Sequence, residues 1–303
     1  MATKNISRRE ALRQIIALPG LFYITGSQAN AQKPNSHSDN SDLETAARNN
    51  PSLREKVYSL AEKIKKATIP ITHEAYIPPI SHPAVFDYYE GGMGVLLRPL
   101  KSKNTYFASC AHAWDFDLAE HGGIELTLKA ASRRGITNPI REQIKERMKV
   151  AGYEANPLKH IFNGQLDFSV LDVTDIISSL GRISTPILID TSKQISYRLG
   201  DKVYWLPQTP GDSPFVEAKV FDLNVWTKDK KTGKPKRVNQ IQTDVPISFE
   251  SGKPVFKFDN GEPTLAGIIT SRVINSNKEE LHTACFTRAN HIFNAIKKYE
   301  EGH

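Results

Sequence analysis

Three short stretches of the chain hold residue types that together could open an acyl bond. Phe249-Glu250-Ser251-Gly252-Lys253-Pro254 sets a serine in a tight turn punctuated by glycine and proline, between Thr243-Asp244-Val245-Pro246-Ile247 and the apolar run Thr264 to Thr270. Such a turn can present a hydroxyl at a cleft edge while neighbouring backbone N–H groups point where an oxyanion would form. A serine hydroxyl is a poor nucleophile at neutral pH, so attack requires a base with a pKa near 7 within hydrogen-bond reach. Thr105-Tyr106-Phe107-Ala108-Ser109-Cys110-Ala111-His112 ends an apolar run in such a base, and Leu166-Asp167-Phe168-Ser169-Val170-Leu171 opens another with a carboxylate able to orient it. Taken singly, a Ser-Gly turn, a histidine at a strand end and an aspartate at a strand start are ordinary structural devices. It is the three together that point to chemistry.

In the order His, Asp, Ser, these frames resemble a known family. Ala111-His112, Asp167 to Leu171 and Phe249 to Pro254 are similar to the Ala-Ala-His, Asp-Ile-Ala-Leu-Leu and Gly-Asp-Ser-Gly-Gly-Pro signatures of trypsin-like serine peptidases of the chymotrypsin fold. Ile241-Gln242-Thr243-Asp244 resembles the bacterial branch, and the likeness runs from about Gly91 to the C-terminus. The resemblance implies an all-β fold of two six-stranded antiparallel barrels, with an N-terminal helix, an inserted helix and a C-terminal helix. It implies that His112 takes the proton of Ser251 and delivers it to the leaving amine, while Asp167 holds the imidazole tautomer. The N–H groups of Phe249 and Ser251 become the oxyanion donors, and Val245, Thr270, Ser271 and Arg272 fall at the substrate pocket. Val245 stands where a preference for Lys or Arg would need an aspartate. No metal and no organic cofactor is implied, and the expected partner is a polypeptide substrate. The chain departs from the pattern at Phe249, where the family has a glycine whose permissive backbone turns the N–H inward, at Glu250 and at Lys253. The alternative to a working serine endopeptidase is therefore a catalytically degenerate homologue that binds protein or peptide.

Composition fits this reading. With 303 residues, 39% hydrophobic and 24% charged, the chain has the make-up of a globular protein with one or two cores. Eighteen glycines and eighteen prolines, spread along the chain, suit many short strands separated by turns. Of the net charge of +7, the first 31 residues carry +3, from Lys4, Arg8, Arg9 and Arg13 against Glu10, leaving a mild +4. Basic and acidic residues interleave except at Lys228 to Arg237, which reads as a charged hairpin tip, so no nucleic-acid partner is expected. Cys110 and Cys285 lie far apart in apolar surroundings, without metal-ligand spacing. They are buried free thiols or one long-range disulfide.

The elements that must position these residues follow in order. Residues 1–31 read as an export signal of twin-arginine type, with Arg8-Arg9 ahead of a moderately apolar run and Ala29-Asn30-Ala31 before a cut at Gln32. Pro19 and Gly20 interrupt that run, which is too short for a membrane span. Cleavage leaves a periplasmic or secreted bacterial protein with no stable membrane insertion. Residues 32–68 form a flexible lead and an amphipathic helix, with capping-box spacing at Ser52 to Glu55 and an apolar stripe of Leu53, Val57, Leu60, Ala61 and Ile64. That stripe packs on the barrel body or docks a partner. Residues 69–182 make the first barrel, carrying His112 and Asp167, entered through an extended connector over Ile69 to Pro83. Its strands fall at Gly91 to Leu97, Thr105 to Ser109 and Ile124 to Leu128. An inserted helix spans Asn138 to Gly152, as a surface helix or a lid. Residues 183–303 make the second barrel, carrying Ser251, with strands at Gly200 to Leu206 and Val216 to Trp226, a last strand at Cys285 to Arg288 and a closing helix from Ala289 to Glu300.

Overall fold

The computed structural model describes residues 50–302 apart from 77–84, 115–127, 130, 134–141, 143–144, 151, 155–159, 181–183, 208–213, 229–234, 247–250, 260–261, 271–272, 275–279 and 282. The expected export signal, the flexible lead, most of the Ile124 to Leu128 run and the charged hairpin tip lie outside the described residues.

Helix α1 (Pro51–Ala67) buries Val57, Ala61, Ile64 and Ala67. These recur every three to four residues and meet β1 (Thr68–Tyr76), β2 (Val85–Pro99) and β8 (Ile187–Ile189), so the stripe packs on the body of the protein. A fully buried aliphatic such as Ile64 contributes about 1.5–3 kcal/mol. The helix ends where Thr68 Oγ1 donates to the Ile64 carbonyl at 2.7 Å and the chain enters β1.

Two expectations are corrected here. The described part of the expected connector, Ile69 to Tyr76, is strand: β1 pairs along its length with β2, and from Ile71 onward with β4 (Lys145–Val150), so it is an interior strand. Pro70 sits ahead of the pairing with β4, on the stretch with a single neighbour, where a missing N–H is tolerated. The helix expected over Asn138 to Gly152 is replaced by β4 in the residues described. Glu74 of β1, 5% exposed, accepts from Arg147 Nε at 2.7 Å and from Lys149 Nζ at 2.5 Å. The period is two, and the charges belong to a partner more than 70 positions away, so they do not form a solvated helix face.

With β3 (Tyr106–Ser109), β5 (Tyr153–Glu154), β6 (His160–Asn163) and β7 (Phe168–Asp172), these strands form a sheet ordered β5-β4-β1-β2-β3-β7-β6. β8 adds to it in parallel along Leu97 to Pro99. Among the described residues the first half is an eight-stranded sheet curled into a half-barrel, consistent with the two-barrel fold expected, to which the Asn138 to Gly152 stretch contributes β4 and which β8 joins at β2. A short helix, α2 (Thr174–Leu180), leaves β7 where Asp172 Oδ1 accepts from the Thr174 N–H at 2.9 Å.

The second half closes as expected. β9 (Lys202–Trp205), β10 (Val216–Asp222), β13 (Gln240–Pro246), β14 (Pro254–Asp259), β15 (Glu262–Ile269) and β18 (Thr283–Arg288) form a barrel in the order β10-β13-β18-β15-β14-β9. Trp205, Ile241, Val255, Ala266, Ile269 and Phe286 fill it. β11 (Val225–Lys228) and β12 (Pro235–Val238) are the two arms of the charged hairpin, and β16 (Val273–Ile274) pairs with β17 (Glu280–Leu281). Helix α3 (Ala289–Glu301) lays Ile292, Phe293 and Ile296 across β15 and β7, joining barrel to sheet. Tyr106 of β3 donates to Glu300 Oε1 at 3.1 Å and meets the Tyr299 ring edge-on. No helix among the described residues is long and apolar enough to cross a membrane.

Candidate active site

Strand β3 is buried along its whole length between β2 and β7, so its C-terminal end is held firmly. The chain leaves it through Cys110 and Ala111 into a single 3₁₀ turn, His112–Trp114, closed by the Trp114 N–H on the Ala111 carbonyl at 3.0 Å. Trp114 stands edge-on to Phe107, and the Ala113 carbonyl accepts from Nε2 of buried His73 at 2.9 Å. Burial lowers the pKa of His73, keeping that imidazole neutral. The turn is thereby fixed from both sides, and it carries the His112 side chain.

Asp167 ends the turn between β6 and β7. Asn163 Oδ1 accepts from the N–H groups of Gln165 and Leu166 at 3.2 and 3.0 Å, and Asp167 itself sits at φ 51°. A left-handed aspartate is uncommon. Here it swings the carboxylate toward β3, where Oδ2 pairs with His112 Nδ1 at 2.8 Å and Oδ1 accepts the His112 backbone N–H at 2.9 Å. Both oxygens grip one residue. The preceding carbonyl, of Leu166, accepts from Gln240 Nε2 at 2.7 Å and from Thr287 Oγ1, so two barrel strands brace the aspartate's turn.

The serine turn joins β13 to β14. The Gly252 N–H donates to the Ile269 carbonyl at 2.8 Å and the Ile269 N–H to the Lys253 carbonyl at 2.9 Å, tying the turn to β15. Ser251 is half-buried, and its carbonyl accepts the Met93 N–H of β2 at 3.1 Å. Gly252, at φ +88°, lies so close to β2 and β3 that a Cβ there would overlap the Met93 carbonyl and come within 2.8 Å of Ser109 Oγ. Only glycine permits that approach. Ser109 Oγ in turn donates to the Met93 carbonyl. The serine turn is therefore seated on β2 and on the last residue of β3, three positions before His112.

His112 Nε2 faces Cys110 Sγ at 3.6 Å, and among the described residues Ser251 Oγ makes no hydrogen bond to it. Burial alone would lower the His112 pKa. The hydrogen bonds and charges of Asp167 and Cys110 together outweigh it and raise the pKa from 6.5 to about 10. Both cysteines are buried and free, which decides between the two alternatives left open by sequence. Burial pushes the Cys285 thiol up to about 12.

Of the pocket residues, Val245 is half-buried beside the barrel core. Thr270 is fully buried, its hydroxyl 3.4 Å from both the carbonyl and Sγ of Cys285 and 3.1 Å from Gln240 Nε2, so its side chain faces inward. Phe249, Ser271 and Arg272 lie outside the described residues. Sequence reasoning passed over Gln240, Thr287 and Met93, which act across 74, 121 and 158 positions and have no local signature. The contact of Cys110 with His112 did have one, their spacing of two at the end of an apolar run. Among the described residues no group of three or more His, Cys, Asp or Glu side chains could hold a metal ion.

A closed antiparallel barrel packed with a second, mainly antiparallel sheet, carrying a His-Asp pair on the sheet and a serine turn on the barrel, is consistent with a two-barrel fold of the chymotrypsin class. No protein-family model matches the chain, and no curated protein matches it by sequence. Among solved structures it is similar to the MamO protease domain from Magnetospirillum magneticum, at 10% identity and a TM-score of 0.38, over 77% of this chain and 97% of that one. It is also similar to Deg5, at 15% identity and a TM-score of 0.40, over 80% and 92%, and to the Rv3671c protease from M. tuberculosis in its active form, at 13% identity and a TM-score of 0.40, over 82% and 86%. At such identities the question of activity rests on the site.

Proposed function

We propose that the protein is a serine endopeptidase that hydrolyses peptide bonds through an acyl-enzyme. The observation that carries this reading is the grip of both Asp167 oxygens on His112, beside a serine turn bonded to the neighbouring strand. Ser251 Oγ attacks the scissile carbonyl carbon as its proton passes to His112 Nε2, and the imidazolium is stabilised by Asp167. The carbonyl oxygen becomes an oxyanion met by the N–H groups of Ser251 and Phe249, each such donor being worth about 3–4 kcal/mol. Nε2 then returns the proton to the departing amine, and water repeats the sequence on the acyl-enzyme. Val245, Ser271 and Arg272 shape the pocket on this reading, while Thr270 acts through its backbone. The export signal in residues 1–31 puts the polypeptide substrate in the periplasm or outside the cell.

A second reading, a degenerate homologue that binds peptide without cleaving it, is favoured by one observation: Nε2 meets a sulfur and not the serine hydroxyl. Treatment with a serine-directed fluorophosphonate, followed by mass spectrometry, separates the two. Labelling of Ser251 that disappears in Ser251→Ala, together with loss of peptide cleavage, is expected of the peptidase. A protein that binds peptide but is never labelled is the degenerate homologue.

A further inference from the structure

The thiol of Cys110 is fully buried, so no polypeptide can reach it, yet it lies at the imidazole nitrogen from which catalysis would run. We propose that Cys110 is a positioning residue for His112, its thiol competing with Ser251 Oγ for Nε2, so that sulfur must release the ring before the serine can be deprotonated. The proposal rests on the peptidase reading above.

The geometry leaves Cys110 little choice of place. Ser109 is locked between Gly94 and Ser169 in the ladder, its hydroxyl is spent on the Met93 carbonyl, and Gly252 packs against that hydroxyl. Residue 110 follows directly, and the 3₁₀ turn folds His112 back over it. Nδ1 is already committed to Asp167, which leaves Nε2 as the only ring nitrogen for any second partner. Sulfur and Nε2 share one proton. Either the S–H donates to a neutral imidazole, or a thiolate accepts from an imidazolium flanked by two anions, Asp167 and Cys110. In both forms the Nε2 lone pair is unavailable to the Ser251 proton. Release requires the proton on sulfur and the S–H directed elsewhere. Ser109 Oγ, 3.9 Å from Sγ with its own hydrogen given to Met93, has lone pairs free to accept it. No proton leaves the site and no oxidant is needed.

Among the described residues, the titratable groups acting on His112 are Asp167 and Cys110. His73 meets the Ala113 carbonyl from β1, and Cys285 feels the charge of Asp167. Cys110 is among the partners that raise the His112 pKa.

The test uses the full chain with Cys110→Ala and Cys110→Ser, the latter keeping the volume should alanine disturb folding. The His112 ring is titrated by nitrogen-15 NMR, its signal assigned by loss in His112→Asn, and fluorophosphonate labelling of Ser251 is timed near neutral pH. The expected result is a ring that titrates lower by about one pH unit or more in both variants, with labelling about tenfold faster or more, since each unit changes the neutral fraction tenfold. An unmoved ring titration overturns the proposal. So does a lowered titration with labelling no faster than in the parent, for then sulfur touches the ring without competing. A lowered titration with no labelling in any protein refutes the peptidase reading, and the competition falls with it, while the thiol–imidazole contact stands.

Discussion

The seating of the serine turn on the sheet gives a measurable consequence through Gly252. In Gly252→Ala two costs add. An L residue held in the left-handed region costs roughly 1–2 kcal/mol, and residue 252 is at φ +88°. The new methyl would overlap the Met93 carbonyl and crowd Ser109 Oγ at 2.8 Å, both fixed in the β2 and β3 ladder. The turn must therefore back away, giving up the Met93 N–H bond to Ser251 and disturbing that of Ser109 to Met93. Each hydrogen bond is worth about 0.5–1.5 kcal/mol net, so the expected destabilisation is about 3–4 kcal/mol. Gly200 supplies the control: it has φ +82° with nothing within 4 Å of a Cβ, so Gly200→Ala bears only the backbone cost of roughly 1–2 kcal/mol. In urea, at a slope of about 3 kcal/mol per molar, the midpoints of the two variants should differ by roughly 0.7 M. Ser251 labelling should slow at least about tenfold in Gly252→Ala and stay unchanged in Gly200→Ala. If both variants unfold at the same urea concentration, the close approach of turn to sheet does not constrain the protein and the reasoning is wrong.

Other outcomes follow from the charged groups. Because His112 titrates near 10 and only neutral imidazole is a base, Ser251 labelling should climb through neutrality into the alkaline range; a plateau reached by about pH 7 would contradict this. The same shift adds stability that is complete below the unfolded value of 6.5 and lost as pH rises through about 10. In Asp167→Asn the ring should titrate closer to 6.5, the alkaline loss of stability should shrink, and turnover should fall by about 10⁴-fold; an unaltered NMR titration would show that Asp167 does not act on the ring. Glu74→Ala takes the shared carboxylate from Arg147 and Lys149, at a cost of about 3 kcal/mol for largely buried cations. Loss of hydrogen-exchange protection at the β4 amides should accompany it, and native-like protection there would refute the role given to Glu74.

The parts of this fold legible in sequence are those whose signal is local. Val57, Ala61 and Ile64 announce α1, the apolar run before His112 announces β3, and the apolar runs of β9 and β15 announce barrel strands. β1 and β4 were hidden by each other: Glu74 looks like a charge in a connector, and Arg147 and Lys149 like a solvated helix face, until the strands pair and the three charges meet. β14 begins at Pro254, directly after the serine turn, so the motif masked the strand that follows it. At the site, the frames around His112 and Asp167 brought the pair to notice. The network of Gln240, Thr287 and the Leu166 carbonyl rests on separations of 47, 74 and 121 positions, which no motif encodes. Thr270 was placed at the substrate pocket by the resemblance alone, and nothing local in the sequence shows that its hydroxyl is spent inside the barrel on Cys285 and Gln240.

The turns that carry Asp167 and Ser251 are held crosswise. Barrel residues Gln240 and Thr287 hold the turn that carries the aspartate, while Met93 of the sheet holds the turn that carries the serine. Neither half of the molecule owns its own turn, so the site is a property of their contact. Any ligand that needs both turns in place must tighten that contact when it binds. By thermodynamic reciprocity, whatever loosens the contact weakens the ligand by the same factor.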